Sequence, residues 1–155
     1  MGIEEYILRL ENFKRTLIQR LPEFVASQAL NAFGMISHRI VESGLIGEEE
    51  VLQLYKSEPY KKKRKKAGRQ TEHVDLTYTR GGAGMLGSTG LVLQEMNEGV
   101  ALARVAGRDS FTQDKLDWNS DRYGDILAPS TEEAQFILDQ FDEWVFKIAE
   151  ETGIV

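Results

Sequence analysis

Apolar positions near the start of the chain recur at intervals of three, four and seven. Ile3, Tyr6, Ile7, Leu10, Phe13, Leu17 and Leu21 form one stripe, with Glu4, Lys14 and Arg15 off it. That period is the mark of an amphipathic helix. Pro22 lacks an amide proton and disfavours helical geometry at Leu21, so the first helix is predicted to end there and a second to begin. Val25, Ala29, Ala32, Phe33, Ile36 and Ile40 carry the helical spacing on to Ser43, and Gly44 stands where a left-handed cap belongs.

The pattern then changes period. From Leu45 to Thr71 the chain is polar, with Pro59 and Gly68 interrupting it, and reads as an exposed loop with a short helix near Val51 to Tyr55. Val74, Leu76 and Tyr78 alternate with Asp75, Thr77 and Thr79, which predicts a strand with one wet face. A glycine-rich connector, RGGAGMLGSTG, follows. Leu91 to Met96 and Val100 to Val105 then flank Asn97, Glu98 and Gly99, the signature of a β-hairpin. Asp109 to Asp121 reads as a polar stretch. Ser130 with Glu133 makes a capping box, opening a last helix with the stripe Ala134, Ile137, Leu138, Phe141, Trp144, Val145 and Ile148, which is predicted to pack on the sheet.

The expected architecture is therefore α+β: two N-terminal helices, a small antiparallel sheet with a β-hairpin, and a C-terminal helix on the sheet. A chain of 155 residues suits one domain. Within it, residues 1–44 form a helical part, 45–73 an exposed basic loop, 74–106 the sheet and 130–151 the last helix. The apolar content, 41%, is enough for a core. No segment has the length of a membrane span or the apolar run of a signal peptide, so cytoplasmic synthesis without membrane contact is expected. The absence of cysteine rules out disulfides, thiolate metal sites and a cysteine nucleophile.

Charge alters the picture at one place. Lys61, Lys62, Lys63, Arg64, Lys65, Lys66 and Arg69 put seven positive charges in nine residues, so a chain of net charge −6 carries −13 elsewhere. Such a cluster suits either nucleic-acid phosphates, with Tyr55 and Tyr60 near enough to stack, or an acidic neighbouring subunit. Catalytic patterns are weak. Gly82, Gly84 and Gly87 fit G-x-G-x-x-G, but a hairpin follows where a dinucleotide fold needs further βα units. His38 and His73 lack a metal-binding spacing, and the aspartates from Asp109 to Asp125 match neither a calcium loop nor an acid–base pair. No catalytic residue, cofactor, metal or small-molecule substrate is expected. A small enzyme such as a nuclease would need a cleft of converging carboxylates.

One succession of segments has a likeness elsewhere. ISHRIVESGL, then YKSEPYKKKRKKAGRQTEHVDLTYT, then GMLGS, then RYGDILAPSTEE at Arg122 to Glu133 resembles the tail-completion and head-tail connection proteins of tailed bacteriophages. The residues carrying it are Arg39, Gly44, Tyr60, Arg64, Gly68, Asp75, Leu76, Thr79, Gly84, Met85 and Ser88. The likeness spans about Leu30 to Trp144, with RGGA and Asp109 to Asp121 standing outside it. It implies a structural protein of a phage or prophage virion that completes or joins the tail, self-associating in a ring and meeting other tail or neck proteins. The implied location is the host cytoplasm during assembly and then the virion. The alternative is a small nucleic-acid-binding module using residues 61–69.

Overall fold

A computed structural model describes residues 2–46, 50–51, 54–76, 84–97 and 99–155. The fold is α+β and mostly helical. In chain order the elements are α1 (Ile3–Ser43), β1 (Leu45–Ile46), β2 (Glu50–Val51), α2 (Glu58–Lys66), α3 (Gly84–Gly87), β3 (Thr89–Asn97), β4 (Val100–Gly107), α4 (Ser110–Tyr123) and α5 (Thr131–Thr152).

The two predicted N-terminal helices are one helix of 41 residues with Pro22 inside it, about 62 Å long at 1.5 Å per residue. An interior proline costs about 3 kcal/mol through its lost hydrogen bond and ring clash. Packing on both sides of Pro22 offsets that cost. Arg20 pairs with Glu151 at 2.6 Å, the Phe24 ring stacks on Trp144 at 4.4 Å, and Gln94 Nε2 donates to the Pro22 carbonyl at 2.9 Å. Tertiary contacts thus carry the helix through a residue that would end it in isolation.

Those contacts also correct the place of the last helix. α5 lies antiparallel along α1 rather than on the sheet: Glu133 meets Arg39, Trp144 and Phe141 meet Phe24, and the Gly153 carbonyl accepts from Arg9 Nη1 at 2.8 Å. The start of α5 is as predicted, with Ser130 and Glu133 forming a reciprocal capping box. The sheet packs against α1 instead, through both β3 and β4.

β3 and β4 form the expected antiparallel hairpin, from Asn97 opposite Val100 to Thr89 opposite Gly107, with an irregularity between Leu91 and Leu93. Gly99 turns it at φ +84°. The polar stretch after it, read from sequence without structure, is α4. Asp109 caps it by accepting from the Thr112 amide at 2.7 Å, and α4 presses so closely on β4 that a Cβ on Gly107 would sit 2.4 Å from the Gln113 nitrogen.

Residues 45–73 are not an open loop. They contain the short ladder β1–β2, an isolated bridge from Leu54 to His73, and α2. The short helix expected near Val51 to Tyr55 does not form: Val51 belongs to β2 and Leu54 to the bridge, while residues 52–53 lie outside the described residues. The strand expected at Val74 is absent over residues 74–76, where Leu76 takes φ +55°. Its remaining positions, Thr77 to Thr79, lie outside the described residues. The core gathers Ile36 and Ile40 of α1 with Ile46, Leu86, Leu116 and Ile126.

Gly44 caps α1 at φ +67°, its amide donating to the Ile40 carbonyl at 2.9 Å, and a Cβ there would lie 2.6 Å from His73 Cδ2. Gly44→Ala is expected to cost about 2 kcal/mol or more, from left-handed backbone strain and the clash with the imidazole. Gly34, in the middle of α1 with open space at its Cβ, is the opposite case, and Gly34→Ala is expected to add about 0.5–1 kcal/mol. Urea unfolding of the two variants checks both signs.

Candidate functional site

The basic segment forms a helix because its breakers are placed as start and stop. Pro59 lies in the first turn of α2, where a missing amide proton costs nothing, and Glu58 beside it suits the positive helix end. Lys63 to Lys66 occupy the last turn, where cations are favoured. Gly68 follows at φ +69°, with the Arg69 amide bonded to the Arg64 carbonyl and the Gly68 amide to the Lys65 carbonyl, a Schellman closure. The pairing of Pro59 with Gly68 was the signal available in the sequence.

The helix divides its basic residues between inside and outside. Arg64 is fully buried. Its Nη2 donates to Asp75 Oδ2 at 2.5 Å, its Nε donates to the Gln70 carbonyl at 2.8 Å, and its guanidinium lies 4.5 Å from the centre of the Tyr55 ring. Gln70 completes the arrangement. Its Nε2 donates to Asp75 Oδ2 at 2.8 Å and to the His73 carbonyl at 2.6 Å, while its Oε1 accepts from the Glu72 and His73 amides. His73 in turn meets the Val41 carbonyl at 3.0 Å through Nε2, which ties the segment to α1. Asp75, expected on a wet strand face, is 3% exposed because its carboxylate turns inward to match the buried guanidinium.

The local electrostatics follow from that burial. Desolvation draws the Arg64 pKa down, but the hydrogen bond with Tyr60 and the charge of Asp75 outweigh it and leave the value raised. Burial, reinforced by the charge of Asp75, pushes the Tyr55 hydroxyl up to about 12. Both groups therefore keep one protonation state across the neutral range. They are positioning groups, with no capacity for acid–base work there.

Of the other residues in the basic segment, Lys61 pairs with Glu58 at 2.8 Å. Lys62, Lys63, Lys65 and Lys66 are exposed, and Arg69 is half-buried. The seven predicted contact residues thus do not form one surface: Arg64 is taken out of it, and Lys62, Lys65 and Lys66 share one face at spacings of three and four. Gly82 lies outside the described residues, and Gly84 to Gly87 make a single helical turn leading into β3. His38 is exposed. Among the described residues no three His, Asp or Glu side chains gather as a metal site, and no helix is long and apolar enough to cross a membrane.

A second buried ion pair holds the start of α5 against the end of α1. Arg39 Nε donates to Glu133 Oε1 at 2.9 Å and Nη2 to Oε2 at 3.1 Å, while Nη1 and Nη2 reach the Leu45 and Ala128 carbonyls, both at 3.0 Å. Burial alone would raise the Glu133 pKa, but hydrogen bonds from Arg39 and the Ser130 backbone hold it below its ordinary value. Nothing in local sequence spacing links Arg39 to Glu133. Beside this pair runs an apolar groove of about 560 Å³ between α1 and α5, lined by Phe24, Val25, Ala29, Ile137, Leu138 and Phe141 among others.

Compared with protein-family models, with characterised proteins and with solved structures, the chain matches none.

Asp75→Ala is expected to cost about 3–5 kcal/mol, because it strands a fully buried guanidinium, and chemical denaturation measures it. The Glu133 carboxylate behaves differently with pH. Its pKa is lowered on folding, so its contribution is present above the ordinary value of 4.5 and is lost as pH falls through the depressed folded value. The stability difference between the parent and Glu133→Gln should accordingly be widest near neutrality and close in acid. For Tyr55 the sign reverses: its contribution is present below pH 10 and fades as pH rises towards 12.

Proposed function

We propose that the chain is a non-enzymatic assembly protein of a tailed phage or prophage virion. In this reading it joins or completes the tail at the head–tail interface through subunit contacts, in a ring. The observation that carries the reading is apolar surface left at the outside of regular elements. Ile3, Tyr6, Ile7 and Leu10, at spacings of three, four and seven on α1, are all exposed, Ile3 by 78%. Leu138 and Phe141 of α5 are exposed beside the groove. A helical stripe of this kind is normally buried, and a regular one left open is a surface for another chain.

A second copy is the partner that this reading assigns to the stripe. A stripe on one copy that meets a different surface on the next gives a head-to-tail contact, and such contacts close into rings when the rotation allows. The resemblance adds support of a different kind. Arg39, Gly44, Tyr60, Arg64 and Asp75, which carry it, are also the residues that fix α2 and the end of α1 in the body.

Ile7→Glu with Leu10→Glu is expected to leave the fold intact and reduce self-association, read as a drop in mass by light scattering at matched concentration. Deleting the gene from its phage or prophage and imaging the particles tests the role itself. Filled heads separate from unattached or overlong tails are the expected result. Normal infectious particles would overturn the proposal.

A further inference from the structure

We infer that the outer face of α2 is a contact for the phosphate backbone of nucleic acid, made by Lys62, Lys65 and Lys66. The inference is independent of the assembly reading. It begins from how the helix sorts its charges. Arg64 is turned inward onto Asp75, and Lys61 is matched by Glu58. Lys62, Lys65 and Lys66 are exposed, and none forms an ion pair among the described residues. At spacings of three and four they lie on one side of the helix, within about 6 Å along its axis.

The chemistry of the exposed groups selects the partner. Planar two-point recognition of a carboxylate is the work of arginine, and the arginine within this helix faces the interior. What faces out is three compact ammonium groups on flexible stems. Against scattered carboxylates on another copy, each exposed pair contributes about 0–1 kcal/mol. Against duplex DNA, which carries one charge per about 1.7 Å of axis, the same 6 Å patch meets roughly three phosphates and releases their condensed counterions. Glu58, the acidic residue within this helix, is engaged by Lys61, and negative charges of the chain that lie more than about 8 Å away are largely screened at physiological salt.

The Arg64–Asp75 pair gives the face its rigidity. The helix is held by a buried group from below, so presenting the lysines does not require ordering a coil first, and no folding cost is subtracted from binding.

The test is fluorescence anisotropy of a labelled mixed-sequence DNA duplex with the full chain. Three phosphate contacts give a slope of about −2.7 for log affinity against log salt, or about a 40-fold loss between about 50 and about 200 mM. Lys62→Gln/Lys65→Gln/Lys66→Gln should abolish most of the binding and its salt dependence while leaving the unfolding transition unchanged. Lys14→Gln/Arg15→Gln/Lys147→Gln, with the same net charge, should bind as the parent does. Three results would overturn the inference: no binding by the parent at low salt, equal loss in both triple variants, or unchanged duplex binding by the α2 variant. If that unchanged binding came with weaker self-association, α2 would instead dock on an acidic face of a second copy.

Discussion

A guanidinium with no access to water must be matched by charge and hydrogen bonds, and Arg64 meets most of that demand with Asp75, Gln70 and the face of Tyr55, leaving its Nη1 without a hydrogen-bond partner among the described residues. The demand reaches beyond one side chain. It turns Asp75 inward, which removes the wet strand face its neighbours suggest. It also draws the turn at Gln70 across the end of α2 and, through His73, fixes that turn to α1. Removing one member of such a pair is strongly destabilising because the desolvated partner is left alone. Six basic residues in a row, Lys61 to Lys66, would repel one another as a coil. With Arg64 committed to the interior, Lys62, Lys65 and Lys66 are left on one side of a helix.

The same device operates where α5 begins. Arg39 projects from near the end of α1, reaches both oxygens of Glu133, and also donates to the Leu45 and Ala128 carbonyls. Glu133 also accepts from the Ser130 amide, so one carboxylate caps α5 and anchors it to α1. This explains why α5 runs along α1: its first turn is fixed there, and the ring contacts of Phe24 with Phe141 and Trp144 continue the register. The sheet packs on α1 as well, with α4 closing over β4 at Gly107.

What could be read in the sequence depended on how local its cause was. The capping box of α5, the cap at Gly44 and the Gly99 hairpin are each decided within a few residues, and each was legible. The continuity of α1 through Pro22 was not, since it depends on Trp144, Glu151 and Gln94, all more than seventy positions away. α4 was hidden for a related reason. Its few buried positions, Thr112, Leu116 and Asn119, include only one strongly apolar residue, so it lacks an apolar stripe. In the candidate site, the basic residues were conspicuous but their division was not. Whether a given lysine or arginine faces in or out is set by Asp75, whose role is invisible until the chain is folded.

That division separates two kinds of surface. The apolar stripe on α1 and the groove beside α5 suit partners that are themselves packed chains, where burial of hydrocarbon supplies the affinity and salt has little influence. The lysine face of α2 suits a polyanion, with affinity that falls steeply as salt rises. The two lie on different elements and draw on different physics, so a partner at one does not compete for the side chains of the other. Each proposed contact requires a rigid exterior, and the two buried arginine–carboxylate pairs supply that rigidity.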